Sequence, residues 1–279
     1  MEEESSRKRA DGQRVSMTND REGFPAASYL LYEHSSSRRV ENAVVGERQV
    51  CIYLNGQELA VLRCSPYHLD ELAVGFLRSE RLIGRLDDID ILTISESNSC
   101  VDVWLKDAQI KPPARRIITS GCGEGVTFDR PPTTHWFGEK DASIEVADVN
   151  NLMNKLMQVA ELYREVGGVH TSALSDGRDL ILVAEDMGLN NTVDRLWGKA
   201  LQQGRETRGF ILLCSGRIVS DIMEKGIEMR LPIIISLTSP TSLSIEQASK
   251  VNLTLIGYAR GDSFRVYSAP ERVIGTNPI

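Results

Sequence analysis

Alternating apolar and polar residues predict several strands in the first half of the chain. Val50–Leu54 and Leu59–Leu62 flank Asn55-Gly56, and Asn-Gly between two apolar runs is a strong hairpin signal. Ile89–Ile94 and Val101–Leu105 are two further strand candidates. The first half is therefore expected to be rich in β-structure.

One helix is predicted among these strands. Ser65-Pro66 offers a serine suited to the N-cap and a proline suited to the first helical turn. Leu69, Leu72 and Phe76 then recur at the spacing of one helical face. We expect this face to pack against the sheet.

The second half alternates between helical and strand patterns. A helix is predicted near Ala147–Glu165, because Leu152, Leu156, Val159 and Tyr163 form one stripe before Gly167-Gly168. The elements that follow, alternating between strand and helix in chain order, are Leu180–Ala184, Thr192–Leu201, Gly209–Cys214, Ile218–Met229, Ile233–Leu237, Leu243–Val251, Leu253–Tyr258 and Phe264–Tyr267.

Strand–helix alternation of this kind predicts a sheet covered by helices on both faces. The last two strands are joined too closely for a helical crossover and should pair antiparallel. We therefore expect an α+β or α/β protein in three parts: a disordered tail over residues 1–25, a β-rich domain with one helix over 26–145, and a three-layer α/β domain with a mixed sheet over 146–279. Regular structure is expected to start near Arg38.

Composition and charge narrow the classes of function. Hydrophobic residues make up 41% and charged residues 25% of the 279 residues, as in ordinary globular proteins. A formal net charge of −7 disfavours a broad nucleic-acid surface, so an anionic ligand would need a local cluster of arginines or backbone N–H groups. No apolar run predicts a membrane span or a signal peptide.

The cysteines and histidines do not predict a metal site. Neither Cys-x-x-Cys nor His-x-x-x-His spacing occurs among the five cysteines and four histidines, and zinc requires three or four converging ligands. The odd number of scattered cysteines favours reduced thiols in a cytoplasmic protein. Four of them lie in or beside strand patterns and are expected to serve as core: Cys51, Cys64, Cys100 and Cys214.

Cys122 is the first candidate for chemistry. It lies in Thr119–Gly125, where three glycines remove side-chain cover from the sulfur and permit unusual backbone angles. Such a loop could present a thiol to a large partner, although a tight turn with a chance cysteine fits the same pattern. The upstream Arg115 and Arg116 could favour the thiolate if the loop folds back on them.

Two other loops could bind a ligand. Ser215-Gly216-Arg217 follows a predicted strand and opens a helix, so its N–H groups could hold an anion, or it could be an ordinary turn. The segment Tyr258–Ser263 joins the last two strands and combines an aromatic ring with a guanidinium, parts that suit a flat heterocycle with phosphates. A plain hairpin turn is the alternative. His170 has two possible interpretations, a buried structural histidine or a site residue.

Taken together, ordered segments resemble the FdhD family, the formate dehydrogenase accessory sulfurtransferases. The resemblance covers about Arg38 to Tyr267. The matching segments are Tyr53–Glu58, Asp70–Leu77, Thr119–Gly123, Gly168–Leu174, Glu185–Gly188 with Val193-Asp194, Ser215–Arg217, Pro232–Ile234, Pro240–Leu243 and Leu253–Tyr258.

The resemblance implies a specific function. The loop cysteine matching Cys122 would take persulfide sulfur from a cysteine desulfurase and pass it to the bis-molybdopterin guanine dinucleotide form of the molybdenum cofactor, a bound substrate destined for the formate dehydrogenase catalytic subunit. The cofactor would contact Tyr258, Ala259, Arg260, Gly261, Asp262 and Ser263. The resemblance also implies a cytidine-deaminase-like second domain without zinc, and a homodimer.

The chain departs from the family pattern within these motifs. Gly125 occupies the position of a second loop cysteine, Glu124 adds a negative charge beside the thiol, and Leu189 and Asn190 stand where the family has Arg-His. Asp262-Ser263 stands where many members have a second basic residue. Two hypotheses follow: a sulfur carrier that works with Cys122 alone, and a divergent cofactor-binding chaperone that transfers no sulfur.

Overall fold

The structure is a computed structural model that describes residues 24–111, 116–118, 126–128 and 134–275. The Thr119–Gly125 loop with Cys122 lies outside the described residues, as do all but two residues of the predicted tail 1–25. The strands are β1 (Ala26–Glu33), β2 (Ser36–Ala43), β3 (Arg48–Leu54), β4 (Gln57–Cys64), β5 (Ile89–Ile94), β6 (Cys100–Leu105), β7 (Arg116–Ile118), β8 (Val126–Phe128), β9 (Ile144–Glu145), β10 (His170–Ser175), β11 (Leu180–Asp186), β12 (Ile211–Cys214), β13 (Ile233–Ser236), β14 (Thr254–Arg260), β15 (Ser263–Ser268) and β16 (Val273–Ile274). The helices are α1 (Leu69–Ser79), α2 (Val146–Val159), α3 (Glu161–Val166), α4 (Leu189–Gln202), α5 (Ser220–Glu228) and α6 (Ser242–Lys250).

The first half forms a four-stranded sheet in the order β4-β3-β6-β5. The predicted hairpin around Asn55-Gly56 is confirmed as the antiparallel pair of β3 and β4, while β3 and β6 pair in parallel. One face of this sheet packs against α1 through Ile52, Leu72 and other fully buried side chains. The predicted strand-rich half with one helix is thus present.

Two expectations about this half are wrong. Regular structure is already present at Ala26, upstream of Arg38, because β1 and β2 pair along their whole length as an antiparallel hairpin. The helix begins at Leu69, after His68 in a left-handed conformation with φ of 43°, and not at Ser65-Pro66. Ser65 instead hydrogen-bonds to the loop after β11, since its hydroxyl oxygen accepts from the Met187 N–H at 3.2 Å.

The second half is built on a six-stranded mixed sheet in the order β11-β10-β12-β13-β14-β15. The expected antiparallel pairing of the last two strands is confirmed. One face packs against α4, α5 and α6 through side chains such as Val193, Met223 and Ala248. The other face packs against α2 through Leu152 and Leu156. The sheet therefore has helices on both faces, as the alternation predicts.

The long helix predicted near Ala147–Glu165 is divided in two. It breaks at Ala160, whose ψ of 75° lies outside the helical range, so that α3 starts in a new direction. Leu152 and Leu156 are buried as predicted, whereas Val159 and Tyr163 are 41% and 46% exposed. The stripe therefore holds only for its first half.

Helices α1 and α4 join the two sheets through a close crossing of two glycines. A Cβ atom on Gly75 would lie 1.7 Å from the carbonyl oxygen of Asp194, and one on Gly198 would lie 1.9 Å from that of Glu71. Only residues without a Cβ allow this approach. The crossing brings the start of α4 and the end of β11 next to the segment between β4 and α1.

Candidate functional site

The candidate ligand loops meet at one edge of the six-stranded sheet. Strands β12, β13 and β14 are parallel, and β11 runs in the same direction because both β11 and β12 are antiparallel to β10. The carboxyl ends of these four strands therefore lie together, as do the N-termini of α4, α5 and α6, each of which follows one of them. Helix N-termini favour negative charge, so this edge suits an anion.

Backbone hydrogen bonds join the loops of this edge into one unit. The Leu237 N–H donates to the Cys214 carbonyl at 3.1 Å, and the Ile218 N–H donates to the Ser239 carbonyl at 3.2 Å. The Tyr258 N–H donates to the Thr238 carbonyl at 2.9 Å. The segment 237–241 thus connects the Ser215–Arg217 loop on one side with the Tyr258 strand on the other, and all three are held in fixed relative positions.

His170 belongs to this edge. Its Nδ1 lies 3.3 Å from Ser215 Oγ, which also accepts a hydrogen bond from the Thr171 N–H at 2.9 Å. A Cβ on Gly216 would lie 2.9 Å from the His170 ring, so the glycine allows the loop to rest against the imidazole. Burial lowers the pKa of His170, opposed by the Asp186 carboxylate. His170 is thus half-buried and neutral at pH 7, next to the Ser215-Gly216-Arg217 loop identified in the sequence.

The Tyr258 segment forms a hairpin with two guanidinium groups near an aromatic ring. Tyr258 is half-buried with φ of 53°, and the pairing of β14 with β15 is irregular between Gly257 and Arg260. Arg265 lies 4.1 Å and Arg260 5.8 Å from the centre of the Tyr258 ring, within cation–π range. Both arginines are exposed, so they can reach an anionic ligand.

The other residues predicted to contact the cofactor have different environments. Ala259 is fully buried in the sheet core, so only its backbone can face a ligand. Gly261, with φ of 61°, and Asp262 form the tight turn, and Ser263 begins β15. Arg265 was not singled out in the sequence, and the alternation of exposed residues along β15 is the signal that could have found it.

A buried charged network fixes the shape of this edge, and sequence reasoning missed it. The Arg195 guanidinium donates to Asp186 Oδ2 from Nε at 2.9 Å and from Nη2 at 2.7 Å, and both side chains are buried. Arg195 also donates to the carbonyl oxygens of Ser65, Tyr67 and His68. The pair therefore connects the end of β11 to the segment before α1. The signal in the sequence is an arginine nine residues after Asp186, on the helix that follows it.

The same carboxylate organises the start of α4. Asp186 Oδ1 accepts hydrogen bonds from the Gly188 N–H at 2.9 Å and from Asn191 Nδ2 at 2.8 Å. The Asn190 Oδ1 atom is buried and has no hydrogen-bond partner among the described residues. It lies in the first turn of α4 and can accept a hydrogen bond from a ligand group at the edge.

The cysteines differ in their surroundings. Cys64 and Cys214 are buried, and desolvation raises the pKa of each thiol to about 12. The expectation of a core role is wrong for Cys51 and Cys100, which are half-buried on the face of the four-stranded sheet opposite α1. Within the described parts of the chain, His, Cys, Asp and Glu side chains nowhere gather in a group of three or more that could hold a metal ion.

Comparison with known proteins identifies the family. The family model described as FdhD/NarQ family matches residues 45–274. The Sulfur carrier protein FdhD of Bacillus subtilis (strain 168) is 34% identical over 255 residues, which cover 87% of this chain and 94% of the relative. The protein of the same name from Listeria innocua is 33% identical over 256 residues, covering 87% and 95%. The chain belongs to the FdhD/NarQ family.

A solved structure has the same fold. The crystal structure assigned to a formate dehydrogenase accessory protein from Desulfotalea psychrophila aligns with a TM-score of 0.71, at 22% sequence identity, over 90% of this chain and 99% of that chain. The two chains therefore share one mixed α/β fold. None of the described helices has the length and apolar character needed to cross a membrane.

Proposed function

We propose that this protein is a sulfur carrier that supports formate dehydrogenase by sulfurating its molybdenum cofactor. The observation that carries the proposal is the combination of family membership with the Cys122 loop of the sequence and an anion-attracting sheet edge. The proposed donor is a cysteine desulfurase. The proposed acceptor is the bis-molybdopterin guanine dinucleotide cofactor, bound as a substrate.

In the first step, the Cys122 thiolate attacks the outer sulfur of the donor persulfide. The donor S–S bond breaks, Cys122 becomes the persulfide, and the desulfurase regains its thiolate. A single cysteine is sufficient for this exchange. The glycines beside Cys122 in the sequence suit access by a large partner protein, whereas the neighbouring Glu124 adds a negative charge that disfavours the thiolate.

The sheet edge suits the nucleotide part of the proposed substrate. The Tyr258 ring offers a surface for a flat base, and Arg260 and Arg265 supply guanidinium groups for phosphate oxygens. The N-termini of α4, α5 and α6 add backbone donors and partial positive charge. The buried Asn190 Oδ1 supplies an acceptor that a guanine or pterin N–H could satisfy.

The alternative is a cofactor-holding chaperone without sulfur transfer. Gly125 favours it, because a second loop cysteine that could relay or release the sulfur is missing. Leu189 and Asn190 in place of an Arg-His pair also remove positive charge from the edge. The presence of Cys122 in a glycine-rich segment of the sequence favours the carrier function, since a holder would have no need of this thiol.

Mass spectrometry after incubation with a cysteine desulfurase and cysteine separates the two functions. A carrier gains one sulfur atom that maps to Cys122 and is absent from Cys122→Ala. Guanosine diphosphate binding, measured by calorimetry, should survive Cys122→Ala and weaken with Arg260→Ala. No sulfur gain with nucleotide binding intact would establish the chaperone. Sulfur loading that persists in Cys122→Ala, together with nucleotide binding that persists in Arg260→Ala, would contradict both functions.

Three finer expectations remain part of this proposal. They are a cytidine-deaminase-like arrangement of residues 146–279, a domain boundary near residue 146, and a homodimer that holds the cofactor close to the subunit contact. The mixed sheet with helices on both faces is compatible with the first. Sedimentation equilibrium of the purified chain tests the third.

A further inference from the structure

Cys51 and Cys100 lie side by side on neighbouring strands. In the four-stranded sheet β3 pairs in parallel with β6, and Cys51 is the register partner of Cys100. The pairing is regular here, because the Cys51 N–H donates to the Ser99 carbonyl at 2.9 Å. Neighbouring strands are about 4.8 Å apart, within the Cα separation of about 4.4–6.8 Å that a disulfide spans.

Both side chains point to the same face of the sheet, away from α1. Val50 and Ile52, on either side of Cys51 in β3, are fully buried in the core with α1, as is Val101 next to Cys100. Because side chains alternate along a strand, both cysteines project from the opposite face. They are half-buried there, whereas Cys64 and Cys214 are buried. A small reagent can reach this pair and cannot reach the other two.

The groups around Cys51 favour its protonated form. Burial, the Cys100 thiol and the Glu58 carboxylate all raise the pKa of Cys51. The side chains of Tyr53 and Asp102 lie on the same face, and the Cys51 thiol, burial and the Glu58 carboxylate raise the pKa of Tyr53. Among the described residues, the groups that shift the pKa of Cys51 are acidic rather than cationic. Cys51 is therefore a slow nucleophile whose reactivity increases with pH, unlike a thiol adapted to accept persulfide.

We propose that Cys51 and Cys100 form a second thiol site, which low-molecular-weight disulfides convert to a cross-strand disulfide. One cysteine thiolate attacks a sulfur of the small disulfide, forming a mixed disulfide and releasing one small thiolate. The other cysteine, deprotonated in turn, attacks its neighbour's sulfur and releases the second. The two cysteine thiols are oxidised, the small disulfide is reduced to two thiols, and the two protons end on those thiols.

Oxidation should stabilise the fold. Strands β3 and β6 are separated in the chain by β4, α1 and β5, so the bond would close a loop of roughly 50 residues. Restricting the unfolded chain in this way should raise the melting temperature by about 5 °C or more. The site is independent of the proposed sulfur transfer, since neither cysteine belongs to the Cys122 loop or to the sheet edge.

Disulfide mapping of the full chain tests the proposal. The reduced protein is incubated with oxidised glutathione at mildly alkaline pH, alkylated, digested and analysed by mass spectrometry. We expect a peptide pair that joins Cys51 to Cys100. The cross-link should be lost in Cys51→Ser and kept in Cys122→Ser and in the matched buried-cysteine control Cys64→Ser.

Three results would overturn the proposal, and none depends on a variant that must fold. The first is that both cysteines of the natural chain are recovered alkylated after prolonged oxidation. The second is that each carries its own glutathione without a cross-link. The third is that either is joined to Cys122 instead. A cross-linked protein that melts at the same temperature as the reduced form would contradict the predicted stabilisation.

Discussion

Among single residues, Arg195 has the largest expected effect on stability. It is buried with Asp186 and donates to three backbone carbonyls before α1. Arg195→Met would leave the Asp186 carboxylate buried without its guanidinium, which costs about 3–5 kcal/mol in comparable buried pairs. Urea denaturation followed by circular dichroism measures the loss of unfolding free energy.

Lys250→Met provides the matched control for this prediction. Lys250 pairs with Glu246 at 2.6 Å on the surface of α6, where both side chains are more than half exposed. Exposed pairs of this kind contribute about 0.5 kcal/mol or less. Similar losses of unfolding free energy in the two variants would mean that the buried Arg195–Asp186 pair contributes no more to stability than an exposed pair.

His170 should make stability depend on pH. Its folded pKa lies below the ordinary value of about 6.5 because of burial, so the unfolded chain takes up a proton before the folded protein does. The contribution of His170 to the free energy of unfolding is fully present above the unfolded pKa of about 6.5. It decreases as the pH falls from that value towards the folded pKa. His170→Asn keeps a group that can bond Ser215 Oγ but cannot titrate. Urea midpoints between pH 7 and pH 5 should decrease less in this variant.

Part of this pH dependence should remain in His170→Asn. Burial, aided by Arg230, also lowers the pKa of His135, which acts in the same direction. The stability of the double variant with His135→Asn should therefore depend less on pH than that of either single variant. An unchanged slope in His170→Asn would show that folding does not lower the pKa of His170.

At the scale of elements, the crossing of α1 with α4 depends on two glycines. Gly75→Ala would place a Cβ 1.7 Å from a backbone carbonyl of α4, and that carbonyl cannot move without moving the helix. We expect Gly75→Ala and Gly198→Ala each to destabilise the protein by about 1–3 kcal/mol, the usual range for overpacking. Thermal unfolding by calorimetry measures the effect.

Gly84→Ala is the control for the helix crossing. The nearest atom to its added Cβ would be Asp88 Oδ2 at 3.5 Å, an ordinary contact, so the change should cost less than about 1 kcal/mol. Equal effects at Gly84 and Gly75 would mean that the close approach of the two helices does not determine the cost.

These elements also indicate how far the sequence predicts the fold. Apolar period and turn chemistry identified the β3–β4 hairpin, α1 and most of the six-stranded sheet, because each pattern is local. The break at Ala160 and the strand β10 escaped notice. Their backbone follows from distant contacts: the Glu185 carboxylate accepts the N–H groups of Leu162 and Tyr163, and β10 pairs with β11 and β12.

The site was predictable in its parts but not in its arrangement. The Ser215 loop, His170 and the Tyr258 segment each carried a chemical pattern, yet their meeting depends on strand order, which no local pattern encodes. Arg265 and the Asp186–Arg195 pair were missed because charged residues on a strand or helix usually face solvent. Family resemblance supplied the proposed function, and the strand order brings the candidate ligand residues to one edge.

At the scale of the whole molecule, the charge distribution makes a prediction about ligand binding. The net charge of −7 repels an anion at long range, so binding at the sheet edge must depend on short-range contacts with arginines and helix N-termini. Added salt weakens those contacts by screening them. Guanosine diphosphate should therefore bind less tightly as sodium chloride increases, while the neutral nucleoside guanosine should respond little. Calorimetric titration of both ligands over a range of salt concentrations measures the difference.

Two arginine variants assign this salt dependence to the edge. Arg265→Gln should weaken guanosine diphosphate binding by about tenfold and flatten its dependence on salt, since one charge-assisted contact is lost. Arg205→Gln removes the same charge beyond the C-terminus of α4, at the opposite end of the helix from the site, and should leave both quantities unchanged. Equal weakening by the two variants would mean that the nucleotide responds to net charge alone. In that case the sheet edge would lose its role as the ligand site, whereas sulfur loading of Cys122 would still be decided by mass spectrometry.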